Sequence, residues 1–246
     1  MGVARYTFGV DEPAVRRLAL VASAYEPTSR AFLARHKPPD IDVAIDLGCG
    51  PGFSTQLLGD VCSPTSLIGL DSSPEFLANA RARLPTARFQ NHDVTATPLP
   101  GTPASVIYAR LLLAHLPDPP ATAERWKAAL TARGVLLIED LEGIEAPPGP
   151  LRTYDELSAE VVRVGGGLMY AGPELARLGG HCTSVTVPAA LAATIYLFNV
   201  RRWLADPRPP VPQAQLKELE EGLGAIAHDD GPEQVSWIVR QLVLRQ

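Results

Sequence analysis

A chain of 246 residues that is 46% hydrophobic and 20% charged can bury a sizeable core, which excludes disorder and fits one domain with insertions better than two equal domains. The formal net charge of -5, with no run of Lys or Arg, leaves no cationic stripe for a phosphate backbone, so nucleic acid is excluded as the expected partner. Cys49, Cys62 and Cys182 are too few and too scattered for a disulfide framework or a zinc site. No apolar run reaches the roughly 18 residues of a spanning helix, and Asp11 and Glu12 precede the first helical stretch without a signal peptide's regions. The expectation is a metal-free cytoplasmic protein, not embedded in a membrane, for which a homodimer is one allowed assembly.

From Asp11 to His36 the apolar side chains Val15, Leu18, Ala19, Ala22, Tyr25, Phe32 and Leu33 fall on one helical face interrupted by Pro27, which predicts two packed amino-terminal helices. Pro38 and Pro39 end that segment. Val43 to Leu47 is a short apolar run stopped by glycines, as a buried parallel strand would be. Strands and helices then alternate: strand at Ser66 to Leu70, helix from Pro74 to Leu84, strand at Ala87 to Gln90, strand at Ser105 to Tyr108, helix from Pro119 to Ala132 with Gly134 as its stop, and strand at Val135 to Ile138. Ser73 ahead of Pro74 and Asp118 ahead of Pro119 supply helix caps with first-turn prolines. Such alternation predicts an α/β fold, a doubly wound and mostly parallel sheet.

After Asp140 the alternation fails. A Pro/Gly-rich linker at Ala146 to Pro150 leads into helical material around Tyr154 to Val164 and then Gly165 to Gly167, which reads as a helical cap or lid. Thr183 to Val187 and Val235 to Leu244 read as strands pairing antiparallel at the sheet edge, separated by helices near Ala190 to Leu204 and Gln215 to Ala227. The organisation is therefore residues 1–40 as amino-terminal helices forming a partial lid, 41–145 as core, 146–182 as cap, and 183–246 as edge strands with inserted helices.

The segment from Ala44 to Thr55, AIDLGCGPGFST, joins a strand to a helix through three glycines at every second position. Missing β-carbons let the backbone turn sharply and approach a ligand, while the following helix directs free amides at it. Asp71 ends the second strand, where a carboxylate can accept both hydroxyls of a ribose; Asp93 follows the third strand, where an acid can accept adenine amino hydrogens.

Taken together, these residues resemble the class I S-adenosylmethionine-dependent methyltransferases in their small-molecule branch, over roughly residues 41 to 141. The resemblance includes Asp46 two residues ahead of the first glycine, Tyr108 to Pro117 as the fourth-strand segment and Gly134 to Asp140 as the fifth. It implies a Rossmann-like fold and S-adenosylmethionine as cofactor. Gly48 and Gly50 would hold its methionine part, Asp71 with Ser72 its ribose, and Asp93 with the Val94 amide its adenine. A nicotinamide dehydrogenase is the competing enzyme, but its third glycine would fall at Phe53, and Asp46 would repel its pyrophosphate. An S-adenosylmethionine-binding protein that transfers no methyl group, regulatory or of a non-methylating cyclase type, is the alternative from another class.

Methyl transfer from a sulfonium is an in-line displacement, so alignment and dryness carry it, and a base is needed only for a protonated acceptor. His115, beyond the fourth strand, is the candidate base, or else a structural residue at a helix start. Tyr108, Arg110, Glu139 and Asp140 lie near the carboxyl ends of strands, with Arg110 a candidate cofactor contact. Tyr25 and Arg30 can reach over the cofactor from the amino-terminal helices, Arg30 suited to a methionine carboxylate, against a packing tyrosine and a solvated arginine. Met169, Tyr170, Tyr196, Phe198 and Trp203 are candidates to wall an apolar acceptor pocket.

Overall fold

A computed structural model describes residues 8–246. The amino-terminal segment is one helix, α1 (Glu12–His36), and not the expected pair. Asp11 caps it by accepting the Ala14 amide at 3.2 Å, and Pro27 lies inside it. An internal proline removes one helical hydrogen bond and crowds the preceding turn at a cost of about 3 kcal/mol. Tyr25 is buried ahead of it and Ser29, Phe32 and Leu33 beyond it, the first against the carboxy-terminal helices and strands and the last two against the central strands and the helix after the first of them, so packing on both sides holds the helix through that defect.

The core follows in the order β1 (Val43–Leu47), α2 (Phe53–Cys62), β2 (Ser66–Asp71), α3 (Pro74–Arg83), β3 (Arg88–Asn91), β4 (Ala104–Arg110), α4 (Pro119–Lys127) and β5 (Leu130–Glu145). Both expected caps are made: Ser73 accepts from Phe76 and Asp118 from Ala121. The helix expected to reach Ala132 stops at Lys127, however, and Gly134 is no helix stop. It lies inside β5 where the register against β4 shifts, and a β-carbon there would come 2.8 Å from the Ala104 carbonyl oxygen. The glycine lets two strands approach at a bulge.

The rest of the chain comprises α5 (Pro150–Val164), α6 (Gly172–Leu175), β6 (His181–Pro188), α7 (Ala189–Ala205), α8 (Gln213–Ala227) and β7 (Gln234–Arg245). The seven strands form one sheet in the order β3-β2-β1-β4-β5-β7-β6. β1 to β5 pair parallel; β7 pairs antiparallel with both β5 and β6, which gives the antiparallel pairing expected at this end of the sheet, with β7 one position in from the outermost strand.

Alternate residues of the central strands face opposite layers. Ala44, Val106, Tyr108, Val135 and Leu137 pack with Phe32 and Leu33 of α1 and Leu57 and Leu58 of α2. Ile45, Leu47, Ile107, Leu136 and Ile138 pack with Ala123 and Trp126 of α4. A separate cluster joins α5, α7 and α8 to β6 and β7. Among the described residues no helix is long and apolar enough to cross a membrane, and no group of three or more His, Cys, Asp or Glu is placed to hold a metal.

Candidate active site

The sheet order reverses between β1 and β4, and ligands of such sheets bind in the crevice beyond the carboxyl ends of the strands at that point. A cleft of about 550 Å³ lies there, within the range of ligand sites. Gly48, Gly50, Asp71, Ser72, Asp93, Val94, Arg110 and His115 all line it. Gly48, Gly50 and Gly52 have φ of 61°, 51° and 87°, so the turn is left-handed at all three. A β-carbon on Gly48 would meet Leu112 Cδ1 at 2.6 Å, whereas one on Gly50 would meet nothing within 4 Å because that position borders the open cleft. Phe53 begins α2, and the Arg83 guanidinium stacks 3.9 Å over its ring, so a bulky pair fills the place where a dinucleotide fingerprint needs its third glycine.

Asp71 joins two loops. Its Oδ2 accepts the Gly50 amide and its Oδ1 the Ser73 amide, both at 2.8 Å, which fixes the carboxylate while each oxygen keeps a second lone pair. Asp93 Oδ1 accepts the Thr95 amide and hydroxyl at 2.9 and 2.7 Å, and these bonds hold its carboxyl below the ordinary range. The Val94 carbonyl accepts the Trp126 indole N–H at 2.9 Å, pinning that loop to α4.

Asp46 lies beneath the glycine turn, fully buried and not lining the cleft. Its Oδ2 accepts the Ser54 and Thr55 hydroxyls at 2.7 and 2.6 Å, while its Oδ1 is buried without a hydrogen-bond partner. Burial raises its pKa to about 6 against the pull of those hydroxyls. Arg30 does not line the cleft and makes a solvent-exposed ion pair with Glu26 at 2.8 Å. Tyr25 is buried and stacked on Trp237 and does not line the cleft.

A second cavity of about 140 Å³ adjoins the cleft, and Leu18, Val21, Leu111 and His115 line both. Tyr25, Met169 and Tyr196 are among its walls; Trp203 is buried behind, stacked on Tyr154, and Tyr170 instead bonds Asp155. His115 therefore stands at the junction of the two spaces. Desolvation, with a smaller contribution from Arg17, lowers its pKa to about 4, so the imidazole is neutral and weakly basic.

Tyr108 and Glu139 are core partners. The Tyr108 hydroxyl donates to Glu139 Oε2 at 2.5 Å and Gln241 donates to Oε1 at 2.8 Å, deep in the sheet. Asp140 lines the second cavity, its oxygens accepting the Leu113 and Leu141 amides at 2.9 and 3.0 Å, and burial raises its pKa to about 7. Sequence reasoning missed Leu111, which has φ of 54° at the junction of the two spaces. A non-glycine residue in that region stores about 1–3 kcal/mol of strain and is over-represented at functional sites. Nothing in the local residue pattern marks it.

The description "methyltransferase domain" matches residues 45–138. The chain is similar to trans-aconitate 2-methyltransferase of Variovorax paradoxus, 33% identical over 181 residues that cover 68% of this chain and 70% of that protein. It is also similar to trans-aconitate 2-methyltransferase of an Azoarcus species, 31% identical over 210 residues that cover 85% and 72%. Among solved structures, a SAM-dependent methyltransferase from Thiobacillus denitrificans in complex with S-adenosyl-L-homocysteine has a TM-score of 0.52 at 15% identity, over 94% of this chain and 91% of that one, a likeness of fold. With the glycine turn, the clamped acid after β2 and the sheet order, these likenesses establish that the chain belongs to the class I S-adenosylmethionine-dependent methyltransferases, enzymes that use this cofactor to methylate an acceptor, here a small molecule.

Proposed function

We propose that the enzyme methylates a carboxylate oxygen of a small organic acid. The observation that carries this reading is the junction of cleft and cavity: among the described residues that line both spaces His115 is the one that can accept a proton, and with a pKa of about 4 it is a poor acceptor, whereas a carboxylate has no proton to lose. The two relatives named for trans-aconitate support it. Asp140 favours a second reading, a hydroxyl acceptor, because a carboxyl near pKa 7 on the cavity wall suits a general base. Against that, both its oxygens already accept backbone amides.

The residues fit the cofactor. Asp71, with Ser72 beside it, is assigned to the ribose hydroxyls, Asp93 and the Val94 amide to the adenine, and Gly48 and Gly50 to the methionine part, with Arg110 for its carboxylate. The unpartnered Oδ1 of Asp46 places negative charge beneath the loop, which suits a ligand carrying an ammonium and a sulfonium. When bound, that ligand supplies an electrophilic methyl group: an oxygen–carbon bond forms, the carbon–sulfur bond breaks, and sulfur leaves neutral. The chain's own task is to hold the acceptor in line and exclude water. Leu18 and Val21 of α1 and Leu168 and Met169 beyond α5 line the acceptor cavity, so we assign both segments to its cover. Residues 1–7 of the proposed amino-terminal lid lie outside the described residues. The free thiols of Cys49, Cys62 and Cys182 suit a reducing cytoplasm.

The test is transfer from methyl-labelled S-adenosylmethionine to a panel of acids and phenols, followed by alkaline hydrolysis. Label released as methanol marks an ester and supports the reading. Alkali-stable label on a hydroxyl compound refutes it and favours Asp140 as base.

A further inference from the structure

We infer that the acceptor is an acid with one charged group on a planar apolar body, not a polycarboxylate, and that Arg17 positions its carboxylate; this rests on the carboxylate reading above. The cavity beyond the cleft is small, about 140 Å³, and its walls are chiefly apolar, with Val21, Met169, Ile195, Tyr25, Tyr196 and Trp237 among them. The aromatic side chains are locked by one another. Tyr25 stacks on Trp237 at 5.6 Å, Tyr154 stacks on Tyr196 at 3.9 Å, and the Trp237 indole N–H donates to the Tyr196 hydroxyl at 2.9 Å. Asn199 donates to the Tyr154 hydroxyl, so much of the polar capacity of these rings is spent within the wall. What remains towards a ligand is largely ring face and aliphatic surface.

The charges in this cavity are few. Among the described lining residues Arg17 is the one guanidinium, His115 is neutral at physiological pH, and Asp140 is itself an acid. Arg17 is buried, with its guanidinium carbon 5.2 Å from the centre of the Phe8 ring, and the same ring makes an edge contact with His115 at 6.2 Å. That sets the guanidinium beside the junction with the cleft, where the reacting carboxylate must lie. A carboxylate buried without a cation or hydrogen-bond donors is strongly disfavoured. Trans-aconitate carries three, so with one at the methyl group two would remain facing rings, aliphatic side chains and Asp140. A single carboxylate on an unsaturated or aromatic body meets Arg17 at one end and apolar surface along its length.

The experiment uses the full chain loaded with S-adenosylhomocysteine and titrates trans-cinnamate, its neutral isostere trans-cinnamamide, and trans-aconitate by calorimetry, with turnover of the two acids measured separately. The expected result is at least tenfold tighter binding of cinnamate than of trans-aconitate. Arg17→Met should weaken cinnamate tenfold or more, leave cinnamamide within twofold and leave S-adenosylhomocysteine unchanged, and Arg17→Lys should recover most of the loss. If Arg17→Met does not fold, Arg17→Gln takes its place, and the wild-type preference stands as an independent readout. Tighter binding of trans-aconitate, or no binding of cinnamate, overturns the inference; equal losses of acid and amide overturn the role of Arg17. Alkali-labile methylation of trans-aconitate alone overturns the inference while leaving carboxyl methylation standing, whereas alkali-stable label on phenols overturns the reading on which it rests.

Discussion

Replacing Asp71 with alanine removes an acceptor that two backbone amides already aim. In the folded chain the carboxylate receives Gly50 N–H on one oxygen and Ser73 N–H on the other, each at 2.8 Å, so its remaining lone pairs are fixed in direction, as the proposed contact with a pair of adjacent ribose hydroxyls requires. A hydrogen bond to a charged group contributes about 1.5–3 kcal/mol. The hydroxyls regain water in the unbound ligand, so the expected loss is about 2–4 kcal/mol, or roughly 30- to 700-fold in Kd. The two amides also lose their partner, which costs the ligand-free protein about 1–3 kcal/mol per buried amide and is read separately by urea unfolding. Asp71→Asn should fall between wild type and alanine, because its NH2 end must face one of the two amide donors. Calorimetry with S-adenosylhomocysteine measures the loss, and adenosine against 2′-deoxyadenosine isolates the hydroxyl component. Binding of S-adenosylhomocysteine by Asp71→Ala within threefold of wild type would refute the ribose assignment, as would undiminished discrimination between the two nucleosides.

His115→Asn should lower kcat on a carboxylate acceptor less than about tenfold, since general-base removal costs about 10²- to 10⁴-fold and an imidazole of pKa about 4 is poorly matched to that work; a hundredfold loss at unchanged cofactor affinity would restore it as base. Asp140 predicts a pH effect of definite sign. Its folded pKa of about 7 stands above the ordinary aspartate value of 3.8, so its stabilising contribution is complete below about pH 4 and is lost as pH rises to 7. Wild type should therefore lose on the order of 2–4 kcal/mol relative to Asp140→Asn between pH 4.5 and 7.5 in urea unfolding, and a pH-independent difference would show the carboxyl titrates normally. In the segment from 146 to 176, hydrogen exchange should slow on cofactor and acceptor binding chiefly over residues 165–170, because α5 is already packed through Leu151, Tyr154, Val161 and Val162. Equal protection with and without ligand would make the segment a rigid insert.

The parts legible from residues alone are those whose physics is local. A positive φ needs glycine, so the turn at Gly48, Gly50 and Gly52 is written in the chain, as are the caps at Ser73 and Asp118, whose hydroxyl and carboxylate meet amides three residues on. Alternation of short apolar runs with helical stretches likewise announces a parallel sheet, and the acids after the second and third strands both line the one cleft. Tertiary packing decided the rest. Pro27 predicts a break that burial of Tyr25 and Phe32 overrides; Gly134 resembles a helix stop until β4 passes beside it; β5 runs on to Glu145 because β7, about a hundred residues later, pairs along it. Arg30 and Arg110 carry the same side chain, yet one pairs with Glu26 on the helix surface and the other lines the cleft. The cavity beside the cleft is assembled from α1, the loop after β4, β5, α5, α7 and β7, so its polarity is a property of residues brought together across the whole chain, which no local window of sequence contains.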